Sequence, residues 1–187
     1  SCYLLKKFII IQERYMDPVK FLYHPMRLLD HRKMEYSFCM QNTKFENGLF
    51  LEFGVYKAES INILSKLKPN KIFHGFDTFN GLPEEWDMGH KKIKAGHFAL
   101  EKMPIVEKNV LLHKGLFEDT LPEWIKKYKE KISFINIDCD LYSSTKTVLE
   151  YLNPQIVKDT IIRFDDLLPS PLSPYPKWIE GEWKALK

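Results

Sequence analysis

No GxGxxG loop occurs in this chain, so the usual cradle for a dinucleotide pyrophosphate is missing. Glycine is scarce altogether, 8 in 187 residues. The three cysteines, Cys2, Cys39 and Cys139, are odd in number and show no CxxC spacing. That argues against a disulfide scaffold and suits free thiols in a reducing compartment, the cytoplasm. Long hydrophobic runs are absent as well: "FIII" at residues 8–11 falls far short of the roughly 20 residues that a spanning helix needs, and no small-residue cleavage site follows it. Neither a membrane segment nor a signal peptide is expected. Charge of one sign is also lacking, since 28 Lys and Arg against 25 Asp and Glu leave +3. "LKPNK" and "KKYKEK" read as solvated helix faces or exit loops, and nucleic acid is not an expected partner.

What the chain does have is apolar matter, 44% hydrophobic and 14% aromatic residues, enough for one sizeable core. Residues 1–47, punctuated by Pro18 and Pro25, read as a helical lead or lid, with Met26, Leu29 and Met34 of "MRLLDHRKMEY" as its apolar positions. From residue 48 to 187 strands and helices alternate. "GLFLEFG", "KIFHGFD", "NVLLHKG", "ISFINID" and "DTIIRFDD" are strands; "AESINILSKLK", "TLPEWIKKYKEK" and "SSTKTVLEYL" are helices, the last opened by a Ser or Thr cap. This order predicts an α/β fold with a doubly wound, mostly parallel sheet. Ligands of such sheets lie at the carboxyl ends of strands, and the notable residues all fall there: Glu52 and Gly54, Asp77, Gly115, Asp138 and Asp140, Asp165 and Asp166.

In "LEFGVYKAES" a glycine and a helix N-terminus follow the strand, where Glu52 suits an ammonium while Ser60 and the helix N-terminus suit a carboxylate. Asp77 of "FDTFNG" stands where an acid accepts ribose hydroxyls. An amino-acid head and a ribose together describe S-adenosylmethionine. Three carboxylate ligands from the ends of the last two strands, with no His or Cys ligand among them, suit a hard, oxygen-preferring ion such as Mg²⁺, Mn²⁺ or Ca²⁺. Asp138 and Asp140, two apart, point the same way if the strand continues, one toward the ion and one toward a hydroxyl proton. The competing reading has Asp140 capping the next helix and Asp165–Asp166 opening a turn. His97 is a further proton acceptor to test, and Tyr36, Phe45 and Trp86 are aromatic candidates for an acceptor pocket.

"LEFGVYKAES", "GFDTFNGLPEEW", "KGLFEDTLPEW", "INIDCDLYSSTKTVLEYL" and "IIRFDDL", in this order, resemble the macrocin O-methyltransferase family from about residue 48 onward. The resemblance implies a Rossmann-like methyltransferase fold, S-adenosylmethionine, a divalent ion and frequent homo-oligomers. The acceptor it implies is a sugar or phenolic hydroxyl of a small molecule or glycoconjugate. It places the donor's methionine end against Glu52 and Gly54, its ribose against Asp77 and its adenine beside Gly115 and Phe117, and Tyr56, Ser60, Thr78 and Asp138 next to these are further donor-binding candidates. The metal falls to Asp138, Asp165 and Asp166, and proton transfer to Asp140; Asp138 and, independently of the resemblance, His97 are further catalytic candidates. Two departures stand out: Ala58 and a position near Asp159 are usually glycine in the family, and the family fold carries further antiparallel strands beyond "EGEWKALK". These departures leave a non-catalytic nucleoside-binding or partner-binding module as the alternative.

Overall fold

A computed structural model describes residues 8–10, 28–45, 47–169 and 174–187. Its main sheet has six strands in the order β1-β8-β7-β2-β3-β6. These are β1 (Phe8–Ile10), β2 (Leu49–Phe53), β3 (Phe73–Asp77), β6 (Val110–Lys114), β7 (Ile132–Ile137) and β8 (Ile161–Phe164). Strands β2, β3, β6, β7 and β8 run parallel, while β1 pairs antiparallel with β8. The five parallel strands are those expected from their short apolar runs, because β2, β7 and β8 are buried on both faces.

The helices are α1 (Leu28–Asn42), α2 (Glu59–Leu67), α3 (Phe117–Lys127), α4 (Tyr142–Leu152) and α5 (Glu182–Leu186). Leu49, Leu51 and Phe53 of β2 belong to one core with Leu121, Trp124, Val148 and Leu152 from α3 and α4. Phe50 points the other way, into a second core with Tyr36, Cys39 and Met40 of α1 and Ile61 and Leu64 of α2. A small hairpin, β4 (Trp86–Asp87) and β5 (Lys92–Ile93), interrupts the long β3-to-β6 connection.

Several expectations change. The lead expected to be helical contributes the edge strand β1 as well as α1, and the rest of residues 1–27 lie outside the described residues. The buried face of α1 is Tyr36, Cys39 and Met40, whereas Met34 is 44% exposed. Helix α3 starts at Phe117, three residues early, and ends at Lys127; α4 starts at Tyr142 with Leu141 as its N-cap and no side-chain cap bond. Neither a Ser or Thr nor Asp140 caps it. Ala58 and Asp159, the two departures from glycine, both adopt left-handed backbone, φ +63° and +70°, which a side chain disfavours by roughly 1–2 kcal/mol.

Candidate active site

A cavity of about 760 Å³ opens at the carboxyl ends of β2, β3, β7 and β8, and Gly54, Asp77, Trp86, Asp138, Asp140 and Asp166 are among the residues on its wall. Gly54 is required there. Its φ is +86°, and a Cβ would stand 1.9 Å from the carbonyl oxygen of Asp138. The Asp138 N–H donates to the Phe53 carbonyl at 2.8 Å, so the ends of β2 and β7 touch directly.

Asp77 organises the β2–α2 turn. One oxygen, Oδ2, accepts from the backbone N–H groups of Val55 and Tyr56, both at 2.8 Å, and Oδ1 accepts from Phe79 N–H at 2.7 Å. The carboxylate assigned to ribose hydroxyls is therefore already engaged by three amides, with only its remaining lone pairs facing the cavity. Tyr56 (φ +47°) and Thr78 line the wall, Tyr56 edge-on to Phe98 at 5.3 Å and Thr78 donating to the Gly81 carbonyl at 2.9 Å. Phe117 lines the wall too, edge-on to Phe53, whereas Gly115 stands off it and donates its N–H to the Asp77 carbonyl.

Glu52 is not on the wall. It is fully buried, accepting from Ser60 Oγ at 2.7 Å and from Asn136 Nδ2 at 3.0 Å. Burial pushes its carboxyl up to about 8 against the pull of these hydrogen bonds. Ser60, in the first turn of α2, stands between Glu52 and the cavity.

Asp138, Asp140 and Asp166 each offer an oxygen within 4.8 Å of the others. They converge by a turn rather than by strand alternation: β7 ends at Ile137 and Asp140 takes φ +62°. Burial, reinforced by the Asp166 and Asp138 carboxylates, holds the Asp140 proton far more tightly than a free carboxylate would. Asp165, expected beside Asp138 and Asp166 as a ligand, also lines the wall but is not one of the converging trio; it accepts from Arg163 at 2.8 Å and lies 3.8 Å from Arg32. His97 is exposed and absent from the wall, where its neighbour Phe98 appears. Phe45 is off the wall as well, while Tyr36 and Trp86 line it.

Three residues that the sequence reading passed over complete the site. Arg163, 1% exposed, donates to Asn136 Oδ1 (2.8 Å), to Asp165 and to Glu35 of α1 (3.1 and 3.2 Å), its guanidinium 5.0 Å from the Tyr36 ring centre. An arginine inside the apolar run "IIRF" was the available signal, since a buried charge needs partners. Asn136 is the second. The third is Glu182 of α5, fully buried, which accepts the Asp166 backbone N–H at 2.8 Å. The segment that carries it also steadies the hairpin: Trp86 Nε1 donates to Tyr175 Oη at 3.2 Å, and Lys177 pairs with Asp87 at 2.6 Å. Among the described residues no helix is long and apolar enough to cross a membrane.

No curated protein matches this chain. Among solved structures it is similar to the calicheamicin methyltransferase CalS11, with TM-score 0.72 and 24% identity, covering 86% of this chain and 71% of that one. It is also similar to the apo form of CalS11, described as a TDP-rhamnose 3′-O-methyltransferase of calicheamicin biosynthesis, with TM-score 0.62, 22% identity and the same coverage. These likenesses establish a Rossmann-like methyltransferase fold. Residues 31–172 match the profile of the macrocin-O-methyltransferase (TylF) family. That match spans the cavity, the acid trio and the strands that carry them, and the chain belongs to this family of O-methyltransferases.

Proposed function

We propose that the protein moves the methyl group of S-adenosylmethionine onto a sugar or phenolic hydroxyl of a small molecule or glycoconjugate, assisted by a divalent cation. The observation that carries this reading is the convergence of Asp138, Asp140 and Asp166 on the wall of a cavity large enough for a donor. The family match and the similarity to CalS11, a TDP-rhamnose 3′-O-methyltransferase, support the acceptor class.

The residues present fit both groups. Oxygens separated by at most 4.8 Å can be bridged by one ion at roughly 2.0–2.6 Å from each, the range of Mg²⁺ and Ca²⁺. Cys139 Sγ, between two of these acids in the sequence, is turned to Thr145 Oγ1 at 3.4 Å, and the converging trio is all oxygen. Asp138 and Asp166 would hold the ion, and one or two carboxylates are the usual protein share for Mg²⁺. A cation bound there would supply Lewis acidity, lowering the pKa of the acceptor hydroxyl.

The remaining work belongs to the chain. The sulfonium is already activated, so the protein's task is alignment of the attacking oxygen with the methyl group and removal of its proton. Asp140, beside Asp138 and Asp166, would take that proton from its ionised form, which a cation held by those neighbours would favour against burial. Gly54 lets the donor lie against the strand end, Thr78 and the free lone pairs of Asp77 face its ribose, and Phe117 with Leu116 borders its base. Trp86, Met88 and Ile93 of the hairpin exclude water above it. Asp165 serves as counter-charge to Arg163. The cytoplasm suits the free thiols of Cys39 and Cys139.

Calorimetry with S-adenosylmethionine, with and without Mg²⁺, tests the reading. Binding is expected, strengthened by Mg²⁺ in the wild type but not in Asp138→Ala; an intact chain that binds no donor would refute it.

A further inference from the structure

A second cavity, of about 370 Å³, lies at the amino ends of β2, β3 and β6, the opposite end of the sheet from the acid trio. Its size falls in the range of roughly 300–1,000 Å³ that takes small molecules. Leu49, Ile72, Leu111 and Tyr128 give it apolar walls, and Ile72 and Leu111 stay 49% and 44% exposed. His74, only 2% exposed, is on the wall as well.

The partners of His74 fix where its proton sits. Trp124 Nε1 lies 3.2 Å from His74 Nδ1, and an indole nitrogen can only donate. Nδ1 therefore presents its lone pair. His113 Nε2, 3.0 Å from the same atom, faces that lone pair and carries a proton of its own. Burial, then His113 and Lys127, lowers His74 to about 4, so at neutral pH the ring is uncharged and has one proton to place. That proton is on Nε2, a tautomer assigned from the hydrogen-bond network. Among the described residues no group accepts from Nε2. A donor on a side chain this deeply buried is costly to leave unpaired.

We propose that this second cavity binds a small apolar molecule through an uncharged carbonyl oxygen, which accepts the His74 Nε2–H while the rest of the molecule covers Ile72 and Leu111. The wall selects for neutrality, because Lys71 and Glu130 contribute one charge of each sign. A carboxylate at His74 would exchange its water for a single neutral donor, leaving a buried charge under-solvated. An ammonium would set a donor against a donor. The site does not depend on how the donor cavity is used, since the two share no wall residue.

Three probes of similar shape test it: acetophenone, a neutral acceptor; benzoate, a charged one; and benzylamine, which as its cation can only donate. The long-range proton–nitrogen correlation spectrum of the wild-type imidazoles should first show His74 protonated at Nε2 with Nδ1 bare. Acetophenone should then move the Nε2 resonance saturably and bind about fivefold or more tighter than benzylamine, the scale of one neutral hydrogen bond, with benzoate weaker than acetophenone. A proton on Nδ1, an Nε2 resonance that ignores acetophenone, or benzoate or benzylamine binding as tightly as acetophenone would each overturn the proposal. Leu111→Trp, which fills the cavity from its exposed side, should abolish the acetophenone response and leave the His74 tautomer unchanged. Full affinity in that variant would put the ligand elsewhere and overturn the proposal too.

Discussion

Replacing Arg163 by methionine should be among the most damaging single changes on the sheet. The methionine fills much of the same volume, so the loss is electrostatic. Arg163 is fully buried and makes four hydrogen bonds, two to Glu35, one to Asp165 and one to Asn136. Its removal leaves two carboxylates, with side chains 16% and 15% exposed, without their shared cation. Breaking a buried ion pair from one side costs about 3–5 kcal/mol, a large part of the roughly 5–15 kcal/mol that holds a domain folded. Urea unfolding followed by circular dichroism should show a loss near about 4 kcal/mol with an unchanged m-value. Adding Glu35→Gln, which removes one stranded charge, should recover about 1–2 kcal/mol, since residues in one network couple by roughly 0.5–3 kcal/mol. A loss below about 1 kcal/mol for the single change, or strictly additive losses for the pair, would refute the assignment of Arg163 as the cation that balances these acids.

Ala58→Gly should stabilise the fold by about 1 kcal/mol, because φ +63° favours a residue without Cβ; thermal unfolding measures it. Glu182→Ala should weaken Mn²⁺ binding about tenfold by freeing the Asp166 turn, while Glu182→Gln, which keeps an accepting oxygen, should retain most of it. Titration of Mn²⁺ by electron paramagnetic resonance distinguishes the two. Stability should fall as pH drops from 6.5 toward about 4. Burial, then the neighbouring His113 and Lys127, lowers His74 to about 4, so the unfolded chain binds the extra proton first across that window. The full effect is about 3 kcal/mol. His74→Gln, which can still accept the Trp124 N–H, should flatten the slope in pH-dependent denaturation.

The parallel strands were legible because a strand buried on both faces must be a short apolar run, and each of these closes on an acid or a glycine. The edge strand β1 was not, since three residues carry no period and its pairing depends on β8, more than a hundred residues away. On α1 the apolar residues of "MRLLDHRKMEY" suggested one face, but the sheet takes Tyr36, Cys39 and Met40, and a weak pattern gives way to tertiary packing. The acid cluster was readable as a cluster while its membership was not. Arg163, two residues before Asp165 on the same side of the strand, claims that carboxylate, and the left-handed turn at Asp140 delivers another in its place. The two glycine-to-side-chain departures named positions whose backbone angles then explained them.

The strand order also dictates a sequence of events in synthesis. Among the described residues β1 pairs with β8, made more than a hundred residues later, so this antiparallel border of the sheet must wait for that later strand to emerge. Asp165 and Asp166 follow directly on β8, whose docking beside β7 brings them to the acid cluster, so the cluster too is assembled only after β8 has been made.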